Sequence, residues 1–214
     1  MTELLSGYDK STQKLMFRVY AEALPDTGKR LKHKDAHFAA LDLLGAALAK
    51  DFGVYRAEIR RRGLGKPQLM HDFLHMNISH CKGLAVAAVG WMPLGVDAEV
   101  PRTVRESLLE KVCTAEEAAA IRNAADPDAV FSQFWTLKEA YAKYTGKGIG
   151  LDFAALGFTV SDAGAITFRH PEASEVCFFQ LPSFQNAAVS LCIRKDAEQE
   201  IVCAAECRQM MRKT

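Results

Sequence analysis

The chain has 214 residues, 49% of them hydrophobic and 25% charged, which is ordinary for a globular protein with one sizeable domain or two small ones packed together. Its formal net charge of +1 argues against a strongly basic nucleic-acid binder but leaves room for a local basic site for phosphates. No stretch is long and apolar enough to span a bilayer, and the first fifteen residues carry Glu3, Asp9 and Lys10 where a signal peptide would be uninterruptedly apolar. A cytoplasmic protein with no membrane or nucleic-acid partner is expected.

The six cysteines (Cys81, Cys113, Cys177, Cys192, Cys203 and Cys207) form no C-x-x-C pair and no zinc-finger spacing. Cys177 and Cys192 sit in apolar, strand-like runs and read as buried free thiols. Cys203 and Cys207 have the spacing to share a helix face, and the last twenty residues read as a loose helix.

Asp35 to Phe52 reads as a helix, with Leu41, Leu44 and Leu48 at helical spacing, an early acid in Asp35 and Gly53 after its end. Arg60, Arg61 and Arg62 lead into a Gly63–Pro67 loop. His75–Ser79 and Leu84–Val89 read as strands around Ser79-His80-Cys81-Lys82-Gly83, and a third apolar run, Leu94–Val100, follows Pro93. Thr114-Ala115-Glu116-Glu117 is a capping-box helix start. A further helix begins at Asp126-Pro127 and ends near Gly146. Short strands follow at Gly157–Val160, Ala165–Phe168, Val176–Leu181 and Ala187–Ile193. Each half thus sets a long helix ahead of a Gly-Lys loop (Gly65-Lys66 and Gly146-Lys147) with strands after it. The pattern predicts an α+β fold of two similar halves in a pseudo-symmetric arrangement, with residues 1–93 and 94–195 as the halves and 196–214 as a tail.

Four groups of residues carry chemistry. Asp97 and Glu99 lie two apart in a strand, so they share a face, and a carboxylate pair in an apolar run needs solvent or a cation; hard oxygens suit Mg²⁺. Taken alone, the pair reads better as a strand edge with one solvated face. Glu139 and Lys143 are four apart on a helix, with Trp135 one turn earlier. By themselves they read as a surface ion pair, whereas a third carboxylate beside Asp97 and Glu99 completes a metal site or serves as a base. Ser79 and His80 are placed to bond a phosphate, but they are no nucleophilic triad, since strand neighbours face opposite ways and G-x-S-x-G is absent. Gly65-Lys66-Pro67 is not a Walker loop and reads on its own as a solvated turn.

Taken in order, G-K-P, N-I-S-H, G-V-D-A-E and F-W-T-L-K-E-A-Y-A-K-Y-T-G-K-G-I closely resemble the surfactin-type 4'-phosphopantetheinyl transferase family, over about Asp35 to Ile193. The resemblance implies two α+β halves with the active site between them. It implies Mg²⁺ on Asp97, Glu99 and Glu139, with Glu139 also the general base and Lys143 on a phosphate. Lys66, Ser79 and His80 are implied as coenzyme A contacts, and Trp135 and Lys138 as supporting residues. The implied reaction moves 4'-phosphopantetheine from coenzyme A to a serine of an acyl- or peptidyl-carrier protein and releases 3',5'-adenosine bisphosphate. Shorter relatives build the site between subunits; with both halves in one chain, a monomer is expected. The alternatives are another Mg²⁺-dependent phosphoryl-transfer enzyme or a non-catalytic coenzyme A-binding module. One departure stands out: Phe38 occupies the place of a nucleotide-contacting arginine, and Arg30, Lys32 and Lys34 do not align with the family's early basic contacts. Phe38 is expected in the core or against the adenine, because it precedes Leu41 by three.

Overall fold

The computed structural model describes residues 1–25, 33–60, 67–71, 73–161, 163–195 and 199–203. Lys66, Arg30, Lys32 and Cys207 lie outside these residues. The fold is α+β, built around two larger antiparallel sheets, each carrying one long helix, with two two-stranded pairs beside them.

The first sheet opens with a hairpin, β1 (Thr2–Asp9) and β2 (Leu15–Ala23). The helix α1 (His33–Phe52) follows, then two short paired strands, β3 (Ile59–Arg60) and β4 (Gln68–Leu69). Next come β5 (His75–Cys81) and β6 (Leu84–Gly90). The α1 helix buries Ala36, Ala40, Leu43, Leu44, Ala47 and Leu48, one stripe at helical spacing, against Ala85, Ala87 and Val89 of β6. Every residue of β6 is buried because Leu84, Val86 and Ala88 on its other face enter a second core.

The second half begins with β7 (Leu94–Glu99) and three helices: α2 (Glu106–Val112), α3 (Ala115–Arg122) and α4 (Pro127–Thr145). The hairpins β8 (Gly157–Val160) with β9 (Ile166–Arg169) and β10 (Val176–Phe184) with β11 (Ala187–Arg194) complete it. Sequence signals account for the helix ends. Thr114 and Glu117 form a reciprocal capping box on α3. On α4, Asp126 caps the Ala129 amide, Pro127 occupies the first turn, and Gly146 takes φ +72° after the last turn.

With a last strand, β12 (Gln199–Cys203), the five-stranded sheet has the order β12-β1-β2-β6-β5, and the three-stranded sheet is β10-β11-β7. Their facing sides share a core of Leu4, Phe17, Val86, Val96, Val189 and Leu191, among others. α1 lies on the outer face of the first sheet and α4 on that of the second.

Two expectations are corrected. The tail is not helical where it is described: β12 (Gln199–Cys203) is an edge strand antiparallel to β1, so Cys203 lies on a strand. Phe38 is 59% exposed and so not in the core, because the buried stripe of α1 runs through Ala36, Ala40 and Leu43 and leaves Phe38 on another face; of its two expected places, this leaves the one against the adenine. The Leu41 position is likewise only half-buried.

Candidate active site

The β5 and β7 strands lie side by side at the junction of the two sheets, and side chains rather than a backbone ladder join them. Asn77 Oδ1 accepts the Val96 amide at 2.8 Å, and Ser79 Oγ accepts the Ala98 amide at 3.2 Å. Asn77 and Ser79 are two apart on β5, so they share the face that meets β7. An otherwise orphaned stretch of β7 edge is satisfied in this way.

On β7, Val96 and Ala98 enter the shared core, which turns Gly95, Asp97 and Glu99 toward α4. The contact at Gly95 is close: a Cβ there would lie 2.1 Å from the Ala140 carbonyl oxygen and 2.4 Å from the Tyr144 amide nitrogen. One turn away on α4, the Thr136 and Ser190 hydroxyls bond at 2.8 Å. This approach brings Glu139 and Lys143 over the acidic strand.

Lys143 does not bond Glu139 as an i,i+4 pair. Its Nζ reaches across to Asp97 Oδ1 at 2.7 Å, the Val96 carbonyl at 3.0 Å and Ser79 Oγ at 3.0 Å. Ser79 also donates to Asp97 Oδ1 at 2.8 Å, so its hydroxyl is fully occupied by protein partners. Asp97 is only 5% exposed, and its second oxygen, Oδ2, is buried without a hydrogen-bond partner. A buried carboxylate oxygen left unpaired is costly, and such sites mark an unmet ligand or a function.

Glu99 and Glu139 are half-buried beside Asp97. Burial, then the Asp97 charge, pushes the Glu139 carboxyl up to about 7, with Lys143 opposing. The same causes raise Glu99, while Arg102 and Lys143 oppose them. Among the described residues no three acidic, histidine or cysteine side chains converge closely enough to hold a metal as they stand. The acids are near enough to perturb one another electrostatically, and Lys143 now holds Asp97 Oδ1.

His80 points the other way from Ser79, toward α1, where its ring meets His37 edge-on at a centroid distance of 5.7 Å. Trp135 stacks on Phe131 and meets Phe153 in a separate core that α4 shares with α2, α3 and β8. Lys138 is fully buried, bonded to Glu117 Oε2 and to the Phe153 and Leu156 carbonyls, each at 2.7 Å. Asn77, Gly95, Glu117 and Arg102 are participants that sequence reasoning did not single out. Asn77 and Gly95 were visible as the flanking letters of N-I-S-H and G-V-D-A-E, and Glu117 was read only as a capping residue.

Residues 93–192 match the 4'-phosphopantetheinyl transferase superfamily. The chain is 31% identical over 153 residues to the 4'-phosphopantetheinyl transferase psf-1 of Bacillus pumilus, covering 70% of this chain and 66% of that one. It is 30% identical over 162 residues to a 4'-phosphopantetheinyl transferase of Bacillus subtilis, covering 71% of each. The chain belongs to the 4'-phosphopantetheinyl transferase superfamily. It is an enzyme of that class, with coenzyme A as the donor and a carrier protein as the acceptor. Among solved structures, the holo-[acyl-carrier-protein] synthase of Neisseria meningitidis aligns with TM-score 0.42 and 18% identity, over 49% of this chain and 98% of that one. The junction of β5, β7 and α4 brings Asn77 and Ser79 together with the strand and helix that carry Asp97 and Lys143.

Proposed function

We propose that this transferase works at the acidic junction of β7 and α4, with Glu139 as the base that takes the proton from the acceptor serine. Asp97, Glu99 and Glu139 would hold Mg²⁺, which when bound supplies charge neutralisation at the diphosphate of coenzyme A. The buried, unpartnered Asp97 Oδ2 is the observation that carries this reading: a hard anionic oxygen on a residue whose charge acts on Glu99 and Glu139 fits a hard cation.

The chain's own groups do the rest. Burial and the Asp97 charge raise the Glu139 carboxyl in the metal-free protein, and a bound cation would lower it again to the ionised form that a base needs. Lys143, already 2.7 Å from Asp97, brings a positive charge from α4 to the transferred phosphate. The serine oxygen attacks the β-phosphorus and 3',5'-adenosine bisphosphate leaves, so positioning and charge matter more than covalent catalysis. In this reading Lys66 and His80 are the coenzyme A contacts from the first half, while Ser79, whose hydroxyl is taken up by Asp97, Ala98 and Lys143, positions the acid and the lysine.

We assign the acyl- or peptidyl-carrier protein to the strip directly after β7. There Arg102, Arg105 and Lys111 line an open groove with Val104 and Leu108, a surface that favours an acidic partner with some apolar area. Both sheets contribute to the junction within one chain, which supports a monomer. The donor's chemistry and the free thiols of Cys81, Cys113, Cys177 and Cys192 support a cytoplasmic enzyme.

The test is to incubate an apo carrier protein with coenzyme A and Mg²⁺ and weigh the carrier by mass spectrometry. The expected result is one added phosphopantetheine arm, lost in Asp97→Ala. Coenzyme A turnover without carrier modification points to another phosphoryl-transfer enzyme, and binding without either points to a non-catalytic module.

A further inference from the structure

The α4 helix is gripped from two sides. On one, Gly95 lets its backbone press on β7, and Thr136 meets Ser190. On the other, a buried polar knot forms around Lys138 and Glu117, which are 0% and 1% exposed. Lys138 Nζ bonds Glu117 Oε2 and two carbonyls, those of Phe153 and Leu156. Glu117 in turn accepts the Thr114 amide at 2.9 Å and the Phe158 amide at 2.8 Å. The knot therefore ties α4 to the start of α3, to the turn at Phe153–Ala155 and to β8.

We propose that Lys138 and Glu117 are positioning residues that set the rotation of α4 about its axis, and thereby place Glu139 and Lys143 over β7. This inference rests on the functional reading above. Successive helix residues are about 100° apart, so Lys138 fixes the azimuth of Glu139 directly. At a side-chain radius of about 5–6 Å, a slip of about 20° moves the Glu139 carboxyl by roughly 2 Å. Misplacement of about 1 Å is enough to cost on the order of a hundredfold in rate. Apolar contacts around Leu137 and Tyr141 resist separation of the helix but slide more readily in rotation, because they lack direction. The knot is directional, since all three Lys138 donors and both Glu117 oxygens have fixed partners. A buried pair of this kind adds little net stability, and setting a unique arrangement is its better-attested use.

The experiment compares full-length Lys138→Met with Leu48→Ala, a core change on α1 in the other half that lowers the melting temperature without touching α4. If Lys138→Met does not fold, the double variant Glu117→Gln with Lys138→Met removes both charges and replaces it. Transfer to an apo peptidyl-carrier domain is measured well below both melting temperatures. The expected result is a fall of about tenfold or more in kcat for Lys138→Met, and less than about twofold for Leu48→Ala. Equal losses, or a Lys138→Met enzyme at the wild-type kcat, would overturn the proposal. A crystal structure of the Lys138 variant gives a readout independent of activity. The Lys143–Asp97 bond, 2.7 Å in the parent, is expected to be broken; its survival would overturn the positioning role. Wild-type protein that transfers nothing would sink the functional reading instead, and the crystal structure would still decide the role of the knot.

Discussion

Glu139 sits where stability and function pull apart. Burial and the neighbouring Asp97 hold its carboxyl at about 7, whereas in an unfolded chain it titrates near ~4.3. A pKa raised on folding means that the folded state binds the proton more tightly. The stability this contributes is full below the unfolded value and lost as pH rises through about 7. The metal-free protein is therefore expected to melt at a lower temperature at pH 8 than at pH 5, and Glu139→Gln to flatten that fall. Identical pH slopes for the two proteins, by calorimetry, would show that Glu139 does not feel the acid cluster. In the transfer assay the same substitution removes the base, and a loss of ~10²–10⁴-fold is expected. A near wild-type rate at saturating Mg²⁺ would exclude it as base and as ligand. The acids themselves were legible from their spacing, because a period of two puts Asp97 and Glu99 on one face. The partner of Lys143 was not. The i,i+4 rule pairs it with Glu139, but across the junction Asp97 is buried and offers the stronger attraction. Phe38 misled for a related reason: three-residue spacing to Leu41 locates a helix face, and only the neighbouring sheet decides which face is buried.

At the scale of elements, local signals served best where they were strong. The capping box at Thr114, Asp126-Pro127 and Gly146 all mark helix ends, since each satisfies or stops a backbone group in its own neighbourhood. The first hairpin escaped notice because β1 does not alternate. Leu4, Leu5, Ser6 and Gly7 are all buried, with register shifts at Glu3/Leu5 and Gly7/Tyr8. β12 escaped because its partner, β1, lies at the far end of the chain. α2 has only seven residues and no side-chain cap at Arg105. The contact of β7 with α4 carries a sharper test. Gly95→Ala puts a methyl where Ala140 and Tyr144 backbone atoms lie within 2.4 Å, and backbone cannot swing aside as a flexible side chain can. Forced overpacking costs about 1–3 kcal/mol, and here the strain lifts α4 away from the acids. The expected outcome is a folded protein with a lowered melting temperature and transfer reduced by more than its stability loss explains. A Gly95→Ala enzyme with unchanged kcat would show that the close approach serves packing alone.

At the scale of the molecule, the acceptor must reach the junction from outside. The groove along α2 follows directly on β7, and in the proposed reading its cations meet the carrier. Arg105→Glu reverses one of them on an exposed site, away from the acids. It is expected to raise KM for the carrier, more at low salt than at high, and to leave KM for coenzyme A alone. Equal effects on both substrates would place Arg105 in the donor site instead. The number of chains in the active species follows from where the site residues come from. Asn77 and Ser79 belong to the five-stranded sheet; Asp97 and Lys143 belong to the second sheet and its helix. Ser79 bonds Asp97 and accepts from Lys143, and Asn77 holds the strand that carries Asp97, so one chain supplies both sides of the junction. Among the described residues these contacts are made within one chain. The transfer rate per chain should therefore be independent of protein concentration, and sedimentation of the active fraction should give the mass of one 214-residue chain. Activity confined to a dimer fraction, or a specific rate that climbs with concentration, would mean that a further part of the site comes from a neighbour.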